Sequence, residues 1–226
     1  MKKVDISLKP ILPVNWLKKE ISSAASGTEI LSDGRVKFWI RHAPVKGVTP
    51  KMLVWWFSHL EGKIEYEGGL YEKYHVWHPE DHVHASYETR LPDGSVGPGA
   101  SIRLVEYLGR NEKYIVNIVT EIEKLDETGY IHNPKLEGKF KVARMEYTFA
   151  TSGNDTIYEN CLIIGWKGWT WKLLRPLFLK FVFPKERGVA WIKHNVEEVG
   201  QFERFLPELW RKESGVEMRE DSLNLR

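Results

Sequence analysis

The stretch WIKHNVEEV, Trp191–Val199, decides the fold of this 226-residue chain. Its apolar residues recur at helical spacing, and the pattern predicts one long helix over residues 187–206 that ends near Pro207. On that helix His194 and Glu198 are four residues apart and share a face. The same face carries aromatic side chains, Trp191, Phe202 and Phe205. Both polar groups are therefore expected to point into the interior.

The opposite face of this helix carries Lys193, Glu197 and Arg204, so Glu197 is expected to face water. A buried imidazole or carboxylate without a partner costs several kcal/mol, roughly, so His194 and Glu198 need partners. Two interpretations remain open: a structural hydrogen-bonded pair, or two ligands of a divalent metal ion.

Composition excludes several classes of function. Lys plus Arg is 33 and Asp plus Glu is 31, a net charge of +2, which argues against a nucleic-acid surface. The single cysteine allows no internal disulfide and no zinc site built from thiolates. The longest apolar run, residues 173–184, is interrupted by charges and a proline, and we identify no signal peptide. We expect a cytoplasmic protein with neither nucleic acid nor membrane as a partner; a homodimer is left open.

The order of elements predicts an α+β fold. Thr49 as N-cap and Pro50 at the first position open a helix that runs to Leu60. Segment 168–182 is ambiguous because Pro176 interrupts it. Strands are predicted at 36–40, 71–78, 83–90, 101–109, 113–123, 137–151 and 156–166, most of them joined by residues typical of turns.

We expect one domain over residues 36–212, preceded by an extension at 1–35 and followed by a charged tail at 213–226. The sheet would be antiparallel and curved around the long C-terminal helix, enclosing a cavity. A two-layer sandwich without a cavity is the alternative.

Histidines cluster in YHVWHPEDH, Tyr74–His82. Strand alternation places His78 on the side of Tyr74, and Pro79 ends the strand. His82 and His84 share one face of the next strand, for which we favour the solvent side. His75 is likewise expected to point outward.

Glu106 is the candidate for a fourth ligand. In the strand at 101–109 it shares a face with apolar residues, so it is either an exposed edge position or an inward ligand. Glu121 and Glu146 are weaker competitors. Two imidazoles and two carboxylates suit Zn²⁺, with Fe²⁺ and Mn²⁺ as alternatives, and such a metal supports hydrolase chemistry.

Three segments together resemble the 2,4-diacetylphloroglucinol hydrolases, of which phloretin hydrolase is a relative. They are MLVWWF at Met52–Phe57, YHVWHPEDH at Tyr74–His82 and HNVEE at His194–Glu198. The resemblance covers roughly residues 35–210. It implies a helix-grip fold similar to START domains, and a zinc ion held by His78, Glu106, His194 and Glu198.

The resemblance also implies hydrolysis of the carbon–carbon bond between an acyl group and a polyhydroxylated aromatic ring. Tyr74, Asp81 and His82 are then candidates for moving the proton that the ring carbon requires, and Tyr71 and Tyr74 for binding the phenolic substrate. A non-catalytic binding protein for hydrophobic small molecules and a polyketide cyclase are the alternative functions.

Overall fold

The computed structural model describes residues 4–16, 18–136 and 140–215. It contains eleven strands, β1 Ala25–Ile30, β2 Val36–Arg41, β3 Lys63–Tyr66, β4 Gly69–Glu72, β5 His82–Thr89, β6 Ser101–Tyr107, β7 Ile115–Asp126, β8 Gly129–Leu136, β9 Phe140–Lys141, β10 Ala143–Ser152 and β11 Asp155–Ile164. The helices are α1 Pro50–Ser58, α2 Lys73–Trp77, α3 Trp169–Phe181 and α4 Lys185–Glu213. The α+β prediction is confirmed.

One antiparallel sheet dominates the molecule, with the strand order β1-β2-β11-β10-β8-β7-β6-β5. Strand β9 pairs with β8, and β3 and β4 form a separate hairpin. Strands β10 and β11 are joined by Gly153 and Asn154, with Gly153 at φ 61°, a two-residue connection that favours such backbone angles. The sheet begins with β1, which lies inside the stretch predicted as an N-terminal extension.

The long C-terminal helix packs across the sheet and confirms the helix-grip arrangement. It contacts β2 and α1, and side chains from the sheet, α3 and α4 line one shared cavity. Helix α1 begins as predicted, because the Thr49 hydroxyl accepts a hydrogen bond from the Met52 amide and Pro50 stands at the first position.

Helix α4 is longer than predicted, because it continues through Pro207 to Glu213. A proline inside a helix costs about 3 kcal/mol in an exposed context. Here Leu206, Leu209 and Trp210 are buried on both sides of the proline, and this packing offsets the missing hydrogen bond. Similarly, α3 is helical through Pro176.

Other sequence predictions were wrong in the middle of the chain. The strand predicted at 71–78 is β4 followed by α2. Most of the strand predicted at 137–151 is present, as β9 and β10. Strands β3 and β8 were missed. In α2 tertiary packing overrides the alternating pattern, because its five residues are buried and the Trp77 indole donates to the Glu198 carbonyl on α4. The predicted tail lies outside the described residues from 216 onward.

Candidate metal centre

Four donor atoms from three elements converge beneath α4. His82 opens β5 and pairs directly with Glu106 on β6, while His194 and Glu198 lie one turn apart on α4. The Nε2 atoms of His82 and His194 are 3.2 Å apart. Glu198 Oε2 lies 3.4 Å from His82 Nε2 and 3.6 Å from His194 Nε2. Glu106 Oε2 lies 3.7 Å from His82 Nε2 and 3.8 Å from His194 Nε2.

A β-bulge turns His82 into the interior. His82 pairs with Glu106 and His84 pairs with Val105, so the extra residue between them breaks the strict alternation of β5. His82 is therefore fully buried, whereas His84 is half-buried and bonded to Ser86. The prediction that both histidines lie on the solvent side was wrong for His82, because it assumed regular alternation.

Hydrogen bonds on the outer nitrogens orient both rings. The Nδ1 of His194 lies 2.9 Å from Asp81 Oδ2, and the Nδ1 of His82 lies 2.8 Å from the Tyr74 carbonyl oxygen. With acceptors on the outside, each Nδ1 carries a proton, and the two Nε2 atoms face each other across the site. At this separation the pair is satisfied either by a proton on one ring, which the raised pKa of His194 favours in the absence of metal, or by a metal ion between the two nitrogens.

The carboxylate of Asp81 is itself held in place by backbone donors. The amides of Gly109 and Arg110 donate to its two oxygens, in a turn where both residues have positive φ. Although burial raises the pKa of a carboxyl group, the hydrogen bond and charge of His194 and the Gly109 amide hold the pKa of Asp81 well below its usual value. Asp81 is thus a fixed anion that orients His194.

The buried cluster carries more negative than positive charge. Burial, Glu106 and Asp81 raise the pKa of Glu198 to about 8, against the opposing effect of His194. Burial lowers the pKa of His194, but the carboxylates of Glu106, Asp81 and Glu198 raise it to about 9. Protons or a metal cation must compensate these carboxylates. His82, Glu106 and His194 form one group that could hold a divalent metal ion, and His78, Asp81 and His194 form a second. Glu198 adds a carboxylate oxygen 3.4 and 3.6 Å from the two imidazoles of the first group.

His78 was predicted as a ligand beside Glu106 and Glu198, but the structure groups it with Asp81 and His194, a second set of side chains that could hold a metal ion. Its Nε2 lies 3.4 Å from Glu197 Oε2 and 3.7 Å from Asp81 Oδ2. Its Nδ1 accepts the Asp81 amide hydrogen, and its ring stacks on His194 with centroids 4.3 Å apart. Because α2 is a helix, the alternation that favoured His78 over His82 does not apply.

Two further predicted positions, Glu197 and His75, also differ from the structure. Glu197 is buried and pairs with Lys193 instead of facing water. His75 is buried, with Nε2 3.0 Å from the Pro79 carbonyl oxygen. Tyr71, predicted to bind substrate, lies on β4 and is not among the described residues that line the cavity. The competing Glu121 and Glu146 form ion pairs with basic residues on the sheet.

A cavity of about 300 Å³ opens beside the four donors, with Glu106, His194 and Glu198 in its wall. This volume is at the lower end of the range for small-molecule sites. Tyr74 also lines the cavity, and its hydroxyl donates to Glu106 Oε2 at 2.6 Å. Tyr74 therefore lies beside the donor cluster, as its prediction as a site residue requires.

An aromatic wall opposite α4 was missed in the sequence. Tyr130 and His132 on β8 and Tyr147 on β10 stack in succession, and all three line the cavity. Burial raises the pKa of both tyrosines well above the usual value and lowers that of His132 to about 3, so all three rings are neutral. The spacing of residues 130 and 132 was the available signal, but β8 was not predicted.

Comparison with known proteins identifies one family. The model of the DAPG hydrolase PhiG domain matches residues 14–133, more than half of the chain. A search of curated protein sequences gave no match. Among solved structures, Ms6760 from Mycobacterium smegmatis aligns with 13% identity and a TM-score of 0.48, covering 82% of this chain and 98% of its own.

Two other similar structures have lower scores. CalU16 from Micromonospora echinospora aligns with 12% identity and a TM-score of 0.38, covering 79% of this chain and 96% of its own. Ara h 8.0201 aligns with 14% identity and a TM-score of 0.38, covering 72% of this chain and 98% of its own.

Proposed function

The chain belongs to the DAPG hydrolase PhiG domain family, and from that membership we propose a zinc-dependent hydrolase that cleaves the carbon–carbon bond between an acyl group and a polyhydroxylated aromatic ring. The family implies hydrolase activity. The observation that carries the proposal is the convergence of His82, Glu106, His194 and Glu198 beside a cavity whose wall includes the last three.

The spacing of the donors fits zinc. Two ligand atoms, each roughly 2.0–2.1 Å from a tetrahedral zinc ion, lie roughly 3.3–3.4 Å apart. The separations that involve an imidazole nitrogen run from 3.2 Å between His82 and His194 to 3.8 Å between Glu106 and His194. A zinc ion bound there would make a water molecule more acidic and polarise the acyl carbonyl oxygen.

The protein's own groups pre-organise this site. Asp81 and the Tyr74 carbonyl fix the rings of His194 and His82, and the Tyr74 hydroxyl fixes Glu106. Such outer partners reduce the reorganisation that binding and catalysis require. The helix spacing of His194 and Glu198 then places both on one side of the cavity.

The cavity suits a phenolic ring with an acyl substituent. The hydroxyls of Tyr130 and Tyr147 remain protonated because burial raises their pKa, so they can donate hydrogen bonds to phenolic oxygens. The surrounding wall is apolar, with side chains such as Leu104, Met145 and Trp191, and it excludes bulk water from the ring.

In the reaction, water adds its oxygen to the acyl carbon and the bond to the ring breaks. The electron pair passes to the ring carbon, where the ring hydroxyls stabilise it through the keto form, and that carbon takes up a proton. The products are a carboxylic acid and the deacylated phenol. The Tyr74 hydroxyl, in the cavity wall and bonded to Glu106, is placed to orient a phenolic oxygen or to supply that proton.

The direct test is incubation of the purified protein with 2,4-diacetylphloroglucinol while acetate and the deacylated ring are followed by NMR. We expect equal amounts of the two products, loss of turnover after chelation, and recovery on addition of zinc. Acetophenone is the matched control, and it should be inert because its ring lacks the hydroxyls that stabilise the leaving carbon. Binding of the substrate without acetate release, by the zinc-loaded protein, would instead indicate a binding protein.

The role of Asp81 gives a separate prediction. In Asp81→Asn the side chain loses its charge, and its amide group must face the Gly109 or Arg110 N–H, which are both donors. We expect zinc affinity to fall about 10–100-fold, the usual cost of removing an outer partner of a histidine ligand. Chelator competition measures the affinity. Asp126→Asn, at an exposed hairpin, is the control, and equal affinities in the two variants would contradict the role of Asp81.

A further inference from the structure

Helix α3 presents an apolar stripe to solvent. Trp169, Leu173, Leu177 and Phe181 recur every four residues and therefore share one side of the helix. Their exposed fractions are 74%, 67%, 59% and 71%. Single exposed apolar residues are ordinary on protein surfaces, but a contiguous row of large ones marks an interaction surface.

The exposure is not caused by a detached helix. Trp171, on the other side of α3, is fully buried, and its indole donates to the Gly34 carbonyl at 2.9 Å. Phe178 packs edge-on against Trp171 with ring centroids 5.5 Å apart. One side of α3 is thus anchored to the domain, and the anchoring itself turns the stripe outward.

The charge around the stripe has one sign. Residues 160–185 contain no Asp or Glu, and their basic residues are Lys167, Lys172, Arg175, Lys180 and Lys185. Among residues 4–16, 18–136 and 140–215, no carboxylate oxygen lies within 4.0 Å of any of the four lysine ammonium groups. Lys167 is near enough to Asp33 for its charge to help lower the pKa of that carboxyl group, and the Lys180 ammonium lies 5.2 Å from the centroid of the Phe181 ring. Neither contact is an ion pair, so the lysines can still meet an anionic partner.

We propose that α3 binds the surface of a bilayer that contains anionic lipids, with the apolar stripe at the level of the head groups and the lysines beside the phosphates. Apolar side chains combined with surrounding positive charge are what such interfacial helices require. A second copy of the chain fits less well, because pairing two such stripes would bring the basic residues of both copies together.

This attachment needs no membrane-crossing segment, and none of the helices in the described part of the chain is long and apolar enough to cross a bilayer. From the sequence we expected no membrane partner, but that expectation concerned only segments that cross a bilayer. Val182, immediately after α3, is both exposed and part of the cavity wall. An acylated phenol dissolved in the bilayer would therefore reach the cavity beside α3. This consequence rests on the proposed function, but the proposal that α3 binds lipid does not.

Sedimentation with sucrose-loaded vesicles tests the proposal. Vesicles of phosphatidylcholine with one quarter phosphatidylglycerol should bind the protein about tenfold more strongly than pure phosphatidylcholine, and added salt should weaken the binding. Leu173→Gln combined with Phe181→Gln should lower binding about tenfold or more, since both side chains lose apolar burial. Lys172→Gln and Lys180→Gln should each lower it about fivefold on anionic vesicles only.

Leu70→Gln is the matched control, because Leu70 is 63% exposed on the separate β3–β4 hairpin. It should bind vesicles like the unaltered protein, and circular dichroism melts should show all variants folded. The proposal is overturned if the unaltered protein does not sediment with anionic vesicles, or if Leu70→Gln loses binding equally. A dimer that the α3 double variant dissociates, without vesicle binding, would assign the stripe to contact between copies.

Discussion

The variant His82→Ala is expected to be purified without zinc and to lose more than about 100-fold of its hydrolase activity. His82 supplies one of the four converging donor atoms, 3.2 Å from His194 and 3.4 Å from Glu198. Removing an outer partner of a ligand already costs about 10–100-fold, so removing a ligand should exceed that range. Elemental analysis gives the zinc content, and acetate release gives the activity.

His78→Ala is the matched control for this prediction. His78 is also a fully buried histidine, four residues earlier. It contacts Asp81, Glu197 and the ring of His194, but it has no ion pair with Glu106 or Glu198 among the described residues. We expect this variant to keep close to one zinc ion per chain at saturating zinc. Its zinc affinity should fall by no more than about 10–100-fold, the cost of removing a hydrogen-bond partner of a ligand. If His78→Ala loses the metal and His82→Ala retains it, the assignment of ligands is reversed.

Phe202→Ala is expected to lower the free energy of unfolding by about 3–5 kcal/mol, the usual range for removing a fully buried aromatic ring. Phe202 lies one turn after Glu198 on α4 and is completely buried. Its ring stacks on Trp77 with centroids 5.1 Å apart and meets Trp56 edge-on at 6.1 Å. The change therefore leaves a cavity where α1 and α2 pack against α4.

Urea denaturation in the presence of chelator measures this effect on packing without the contribution of metal binding. Val189→Ala is the control on the same helix, because Val189 is 49% exposed, and it should change stability by less than about 0.5 kcal/mol. If Phe202→Ala lowers the free energy of unfolding by less than about 1 kcal/mol, close to the effect of an ordinary surface change, this contact does not anchor α4.

The helical part of the site was predictable because its pattern is local. A period of 3.6 residues places His194 and Glu198 on the same inward face as Phe202, and α4 has this arrangement. The cap of α1 depends on the adjacent residues Thr49 and Pro50, and it also agrees with the structure. The antiparallel sheet followed from strands separated by short turns.

The strand-borne part of the site was less predictable because it depends on long-range packing. The choice between His78 and His82 depends on α2 being a helix and on the bulge between His82 and His84, and neither feature has a local sequence signal. The burial of Glu197 depends on His78, the residue that follows α2, whose Nε2 lies 3.4 Å from Glu197 Oε2. The aromatic wall of Tyr130, His132 and Tyr147 requires the register of β8 against β10.

The central claim is that His82, Glu106, His194 and Glu198 bind zinc together. An anomalous difference map recorded at the zinc edge, from crystals of the purified zinc-loaded protein, tests it most directly. We expect a single peak at roughly 2.0–2.2 Å from one donor atom of each of the four side chains. A peak beside His78 and Asp81 instead, or no peak among the four side chains, would contradict it.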